Sequence, residues 1–348
     1  MTDGNRARLA YIGSFTTGGG AGITVAAVDP ATGGLSPRAA ADGPVNPSCL
    51  ALAPGTGVLY AVSDTEAGTA AAFRTKGDGL APLGEPVAVG GSGPTHLSVV
   101  GRRLLTANYG SGSVSSLPLC ADGTLTGPPA VLTHQGSGPD PDRQRGPHAH
   151  QVLPDPTGRW VLGVDLGADT VRVHRLDPAT GALHVHSTAP LPAGSGPRHL
   201  AFHPDGRTAY VLHELVPRLT VCAWDGGSGR LTPLSDLAVT PEGAEPRAFP
   251  SVVTVAPDGR FAWVAVRGTD TLVTLSLSDG PRRPRITDRV ECGGSWPRDL
   301  VAGPDGRLLY VSNEWSGDVT WFAVDPVSGR PSRAGALPVP AAACVVLA

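Results

Sequence analysis

Apolar residues in this chain come in short alternating runs, and the runs are cut by turn residues at regular spacing. Pro197-Arg198-His199-Leu200-Ala201-Phe202-His203-Pro204-Asp205-Gly206 is followed by Thr208-Ala209-Tyr210-Val211-Leu212. The same plan returns in Pro297-Arg298-Asp299-Leu300 through Pro304-Asp305-Gly306, followed by Leu308-Leu309-Tyr310-Val311-Ser312. It recurs from Ser251 with Pro257-Asp258-Gly259, from His150 with Pro156-Thr157-Gly158, from Ser48 with Pro54-Gly55-Thr56, and from Thr95 with a shortened turn at Gly101. Period-2 alternation between such turns predicts antiparallel hairpins. No long stretch carries the 3.6-residue apolar period of a helix.

Each unit reads strand, turn, strand, short Gly-rich turn, strand, a second turn such as Asp177-Pro178-Ala179-Thr180-Gly181 or Asp325-Pro326-Val327-Ser328-Gly329, and a fourth strand. The aligned positions Tyr60, Leu105, Leu162, Tyr210, Trp263 and Tyr310 recur every 45 to 57 residues. Four antiparallel strands at that period are the pattern of a β-propeller blade. Six full units run from about Asn46 to Pro331. Leu9 to Pro37 supplies three more strands, with Tyr11 at the repeating position, and Pro340 to Leu347 reads as a lone first strand. Joining the two ends completes a seventh blade and removes a free sheet edge. The expected architecture is all-β: one seven-bladed propeller domain over residues 1–348, with terminal strands sharing a blade.

Composition narrows the function classes. Gly (47) and Pro (35) are abundant, as many turns require, while 41% of residues are hydrophobic and only 16% charged, with a net charge of −3. A nucleic-acid or anionic-membrane surface is not expected of such a chain. No apolar run reaches transmembrane length, and the N-terminus shows no signal-peptide core, so a cytoplasmic protein is expected, monomeric or weakly dimeric. The five cysteines are far apart and form no CxxC pair. They read as small buried hydrophobes rather than a disulfide framework or zinc knuckle.

The repeat also places candidate chemistry. In a propeller the first strand of each blade lines the central channel and the second lies beside it. The start of the first and the end of the second therefore share a rim. Centring the hairpins on Gly206, Gly306 and Gly259 pairs Arg198 with Glu214, Arg298 with Glu314 and Ser251 with Arg267. His150 begins its own first strand; Tyr109 and Asp64 end second strands. His150, Arg198, Glu214, Arg267, Arg298 and Glu314 should then face one mouth of the channel. An opposed Arg and Glu can also be a plain cross-strand ion pair, the simpler reading of Arg298 and Glu314. Arg198 and Glu214, joined by His150 and Arg267, look more like a site. Guanidinium groups clamp carboxylate or phosphate and stabilise an oxyanion; His or Glu can move a proton. The loop Thr133 to Pro147, long, polar and rich in Gly and Pro, enters at the same rim and reads as a binding loop or an ordered surface excursion.

These segments resemble a known family. Tyr11-Ile12-Gly13-Ser14-Phe15-Thr16, Asn108-Tyr109-Gly110-Ser111-Gly112-Ser113-Val114, His134-Gln135-Gly136-Ser137-Gly138, Pro147-His148-Ala149-His150, Pro197 to Pro204 and Val311-Ser312-Asn313-Glu314 are similar to the lactonase-type seven-bladed propellers. That family includes a bacterial 6-phosphogluconolactonase and the fungal carboxymuconate cyclase. The resemblance spans nearly the whole chain and implies a catalytic set of His150, Arg198, Glu214 and Arg267. With it, His148, Arg298, Glu314, Asn108 and Arg143 are expected to bind substrate. It implies hydrolysis of an anionic sugar lactone, a phosphosugar lactone first, without cofactor or metal. Lactone-forming cyclisation or isomerisation would use the same groups in reverse, and a non-catalytic propeller scaffold is the third reading. His148 and His150 lack a third metal ligand in the sequence, and no Gly-x-Ser-x-Gly elbow offers a serine nucleophile. His199, by strand alternation, is expected to face away from Arg198 and pack between blades. His184 and His186 are expected to face solvent on an outer strand, and His203 to lie at the opposite rim.

Overall fold

A computed structural model describes residues 8–241, 243 and 247–348. Seven antiparallel sheets stand around an axis, each built from consecutive strands except one. In that one the C-terminal strand Ala342–Leu347 pairs with Arg8–Ser14, which continues into Ile23–Val28 and Leu35–Ala41. The two chain ends thus close the ring in a shared blade, as the repeat predicts. The blade that follows departs slightly from the four-strand plan, because its outer edge is split into Gly79–Pro82 and Val87–Ala88. Among the described residues no helix is long and apolar enough to cross a membrane.

The alternating pattern buries both faces of each sheet against its neighbours. The second strands are the most enclosed; Val58–Ser63, Thr208–His213 and Phe261–Arg267 are buried at every position. The apolar clusters span adjacent blades: Tyr210, Leu212 and Val221 of one pack with Val253, Val264 and Val273 of the next. The recurring aromatic position explains part of the cohesion. Its polar atom reaches a carbonyl in an outer turn of the following blade: Tyr60 Oη to Gly123 (2.7 Å), Tyr210 Oη to Pro281 (2.6 Å), Trp263 Nε1 to Gly329 (2.8 Å) and Tyr310 Oη to Gly33 (3.0 Å). A buried aromatic so partnered contributes its apolar area without leaving a polar atom unsatisfied. Gly329 has to be glycine: its φ is +72°, and a Cβ there would sit 2.4 Å from the Phe261 ring.

One backbone feature repeats at the channel mouth. At the head of the inner strands the ladder slips by a residue, between Ala149 and Gln151, Pro197 and His199, Pro250 and Val252, and Pro297 and Asp299. The residues skipped are His150, Arg198, Ser251 and Arg298. Such a β-bulge re-aims side chains that strict alternation would direct elsewhere. It also corrects the symmetric hairpin count: Arg267 stands opposite Phe249 rather than Ser251, and Glu214 lies one residue past the last pair, Pro197 with His213.

Candidate active site

Arg198, Arg267 and Arg143 converge on one carboxylate, that of Glu214. Glu214 is buried, and its Oε2 lies 2.8 Å from Arg267 Nη2 and 3.0 Å from Arg198 Nε. The Arg198 contact falls outside hydrogen-bonding geometry, so charge rather than a directed bond holds it. The other carboxylate oxygen, Oε1, accepts from Arg143 Nη2 at 2.7 Å. Arg198 Nη1 also donates to the Ser251 carbonyl, and Arg267 Nε to that of Phe249 at 3.1 Å. Three guanidiniums on one carboxylate leave an excess of positive charge, poised for an anion.

This crowding sets the protonation states. Burial alone would push the Glu214 carboxyl up, but Arg267, Arg198, His150 and Arg143 together hold it far below the ordinary carboxylate range. Burial, Arg267 and Arg298 pull the Arg198 guanidinium down to about 9, against the attraction of Glu214, so it stays charged at neutral pH. Burial, then the Arg198 charge, lowers His150 well below 6.5 despite Glu214 nearby. His150 is therefore a neutral imidazole, and Glu214 a carboxylate fully engaged by cations.

The loop before His150 delivers Arg143. Asp140 Oδ1 accepts from the backbone N–H groups of Asp142 (2.9 Å) and Arg143 (3.0 Å), turning the chain back toward the mouth. Buried Gln144 pins the turn through Leu166 O (2.9 Å) and Asp169 Oδ1 (2.8 Å). The base of the loop is fixed by buried Asp165, whose Oδ2 meets His134 Nδ1 at 2.7 Å and Arg172 Nη1 at 2.8 Å. Its Oδ1 accepts from the His148 N–H at 2.9 Å. Arg143 also donates to Tyr109 Oη at 3.1 Å. His148 stacks on the Tyr109 ring at 4.5 Å, while His150 meets the same ring edge-on at 5.7 Å. His148 thus packs face to face on the Tyr109 ring. No group of three His, Cys, Asp or Glu side chains among the described residues is arranged to hold a metal ion.

Arg298 joins Glu314 at 3.2 Å beside this cluster, both half-buried at the mouth, the ion pair expected of them. Asn108 is not brought to the mouth. It is fully buried, and its amide donates to Ser113 Oγ (3.0 Å) and Ser115 Oγ (2.7 Å), stapling its own hairpin. His199 also departs from expectation. The bulge at Arg198 breaks the alternation, and His199 lines the axial cavity with Arg198, His96 and His150. Its Nδ1 and that of His96 are buried without a protein partner. His96 and Asp299 are not recognisable as channel residues by chemical type, though each follows a bulged residue, Thr95 and Arg298, and can be found by counting from it. His184 and His186 are exposed, and His203 bonds Gly259 O (3.0 Å) at the turn end of its blade, as expected. Of the cysteines, Cys222, Cys292 and Cys344 are buried and Cys49 half-buried, but Cys120 is exposed.

The cavity at this cluster measures about 260 Å³ and is lined by Thr95, His96, His150, Arg198, His199, Arg298 and Asp299 among others. A larger cavity of about 640 Å³ shares Val301, Val345 and Val346 with it and opens at the far end of the axis, near Leu308 and Leu347. Its wall is mainly apolar, with Arg8, Asp29 and Asp305 among its lining, whereas the smaller cavity is bordered by His150, Arg198 and Arg298, with Glu214 and Arg267 behind Arg198 rather than in its wall.

The profile of the family described as "Lactonase, 7-bladed beta-propeller" matches residues 9–347. The chain is 33% identical over 327 residues to a 6-phosphogluconolactonase of Bacillus subtilis, covering 92% of this chain and 93% of that protein. It is 31% identical over 240 residues to a 6-phosphogluconolactonase of Pectobacterium carotovorum, 68% of each. Among solved structures, a periplasmic gluconolactonase of Pseudomonas aeruginosa superposes with a TM-score of 0.92 at 33% identity, over 98% of each chain. The chain belongs to the seven-bladed β-propeller lactonase family.

Proposed function

We propose that the protein hydrolyses a sugar lactone at the His150–Arg198–Glu214–Arg267 cluster. The carrying observation is the clustering of three guanidiniums on one carboxylate beside a neutral imidazole. The lactone carbonyl sits against Arg198, which lines the cavity beside His150 and Arg298. Water attacks the carbonyl carbon, and His150, neutral across the physiological range, takes its proton. The tetrahedral oxyanion forms against guanidiniums already in place, which costs no reorganisation. Collapse breaks the ring C–O bond, and the His150 imidazolium returns the proton to the leaving alkoxide, giving a hydroxy acid. Glu214 is a poor base because its charge is spent on three cations. Its role in this reading is to hold Arg198 and Arg267 in register.

The donor chemistry favours a reaction without a metal: the guanidiniums repel a cation, and both Glu214 oxygens are engaged. Activity is expected to survive dialysis against EDTA. The relatives act on lactones with and without a phosphate, and the surplus positive charge supports an anionic substrate first. The deciding experiment measures ring opening of 6-phosphoglucono-δ-lactone and glucono-δ-lactone by the purified protein and by Arg198→Met. Hydrolysis of either that the variant loses supports the reading. Equal rates for protein and buffer on both lactones would overturn it.

A further inference from the structure

The residue before the inner strand takes a left-handed backbone in four blades, at Gly93, Gly196, Trp296 and Ala341, with φ between 50° and 64°, and Asn46, a few residues ahead of a fifth inner strand, does the same. Glycine and asparagine suit that conformation; a bulky side chain adopts it only at a cost. Strain of this kind gathers at functional sites. Trp296 is held there by Asp270, which accepts from its N–H at 2.8 Å and from Ser295 Oγ at 2.9 Å. The Arg267 guanidinium lies 5.3 Å from its ring centroid. On the indole stacks Trp315, 3.8 Å away and within 5° of parallel.

Trp315 is 64% exposed, yet it is rigidly backed. It forms one wall of a cleft of about 480 Å³, with Phe15 also in the wall and Asn46, Asp64 and Glu314 supplying polar groups. Arg298 lies 4.7 Å from the Phe15 ring and binds Glu314, so the cleft adjoins the lactone cavity across that ion pair. Burial raises the Asp64 carboxyl, and Glu314 adds to the rise against Arg298. Two carboxylates to one guanidinium disfavour an anion here, unlike the Arg143 side. Flat aromatic surface beside hydrogen-bond acceptors instead suits the apolar face and hydroxyls of a neutral sugar ring.

We propose that this cleft binds a second, neutral glycosyl ring, so that the substrate class includes disaccharide lactones whose reducing-end ring is the lactone. This rests on the lactone reading above. The test compares kcat/KM for cellobiono-δ-lactone with that for glucono-δ-lactone within each enzyme preparation. The wild type is expected to favour the disaccharide by about tenfold or more. Trp315→Ala should bring the ratio near one, and Trp315→Phe should restore part of it. A wild-type ratio of one or below, or a ratio unchanged in Trp315→Ala, would overturn the proposal. Cellobiose, which has no lactone to open, separates this from failure of the functional reading. Followed by tryptophan fluorescence, it should bind the wild type saturably and bind Trp315→Ala at least about tenfold more weakly. Absence of binding to the wild type overturns the cleft even where lactones are hydrolysed, and binding without lactone hydrolysis overturns only the reaction.

Discussion

Replacing Glu214 by glutamine tests the central electrostatic argument, because it removes one charge and almost no volume. The wild-type carboxylate compensates Arg198 and Arg267, whose side chains are 6% and 7% exposed, and Arg143, which is 37% exposed and contributes less. Breaking a buried ion pair from one side costs about 3–5 kcal/mol, since the remaining charge is left without a partner. That is a large share of the roughly 5–15 kcal/mol typical of a folded protein. Urea unfolding should therefore show a markedly lower midpoint. The acid response should change too. The folded carboxyl lies below its ordinary value of 4.5, so its stabilisation is complete above that pH and declines as pH falls. The variant should lose less stability than the wild type between pH 5 and 3. Turnover should fall by about 10²-fold, the cost of misplacing positioned groups. Adding Arg198→Met to Glu214→Gln removes one of the two stranded buried charges, so the double variant should be more stable than Glu214→Gln while remaining inactive. A Glu214→Gln protein with wild-type stability and an unchanged acid slope would refute this account of the site.

Three further outcomes follow from the same geometry. His150→Gln should lose about 10²-fold or more in kcat. Because His150 is neutral when folded and takes a proton below about 6.5 when unfolded, wild-type kcat should stay level from pH 8 to 6.5, and the wild type should lose more stability below pH 6.5 than the variant; an acid limb at or above 6.5 would contradict this. Arg143→Ala should reduce kcat/KM by about tenfold with little change in melting temperature, as a half-exposed cation contributes little to folding. Asp165→Asn removes the shared anchor of His134, Arg172 and the His148 N–H; it should destabilise by about 3–5 kcal/mol and speed proteolysis between residues 135 and 147, while an unchanged cleavage rate would show that the loop is held by other contacts.

What was legible in the sequence was what local rules dictate. Alternation and the Pro-Asp-Gly turns define hairpins because each depends on a few adjacent residues, and the recurrence of Tyr60, Tyr210 and Tyr310 sets the blade period. Convergence of His150, Arg198, Glu214 and Arg267 could be read as well, because strand direction alone assigns an end to a rim. Register could not. The bulged residue leaves no mark in composition, since His150, Arg198, Ser251 and Arg298 have no one side-chain type in common to all four, and a hairpin counted symmetrically about Gly206 absorbs the slip. His199 was misplaced for that reason. Asn108 failed differently: it ends a second strand at the right rim, but Ser113 and Ser115 across the turn capture its amide.

The bulge also accounts for why this face can carry chemistry. In an unbroken ladder, consecutive inner-strand residues alternate sides, so Arg198 and His199 could not both border the axis. The slip lets both line the cavity while Pro197 and Leu200 keep their pairing with His213 and Val211. The fold thus admits charged groups at the mouth without surrendering the apolar contacts of Leu200 between blades. The same slip takes Arg198 out of the ladder between Pro197 and His199, where Glu214, itself past the last paired residue, can reach it. Within this strand Leu200 keeps the packing between blades while Arg198 and His199 face the cavity, and the destabilisation expected of Glu214→Gln comes from stranding buried charge rather than from loss of that packing.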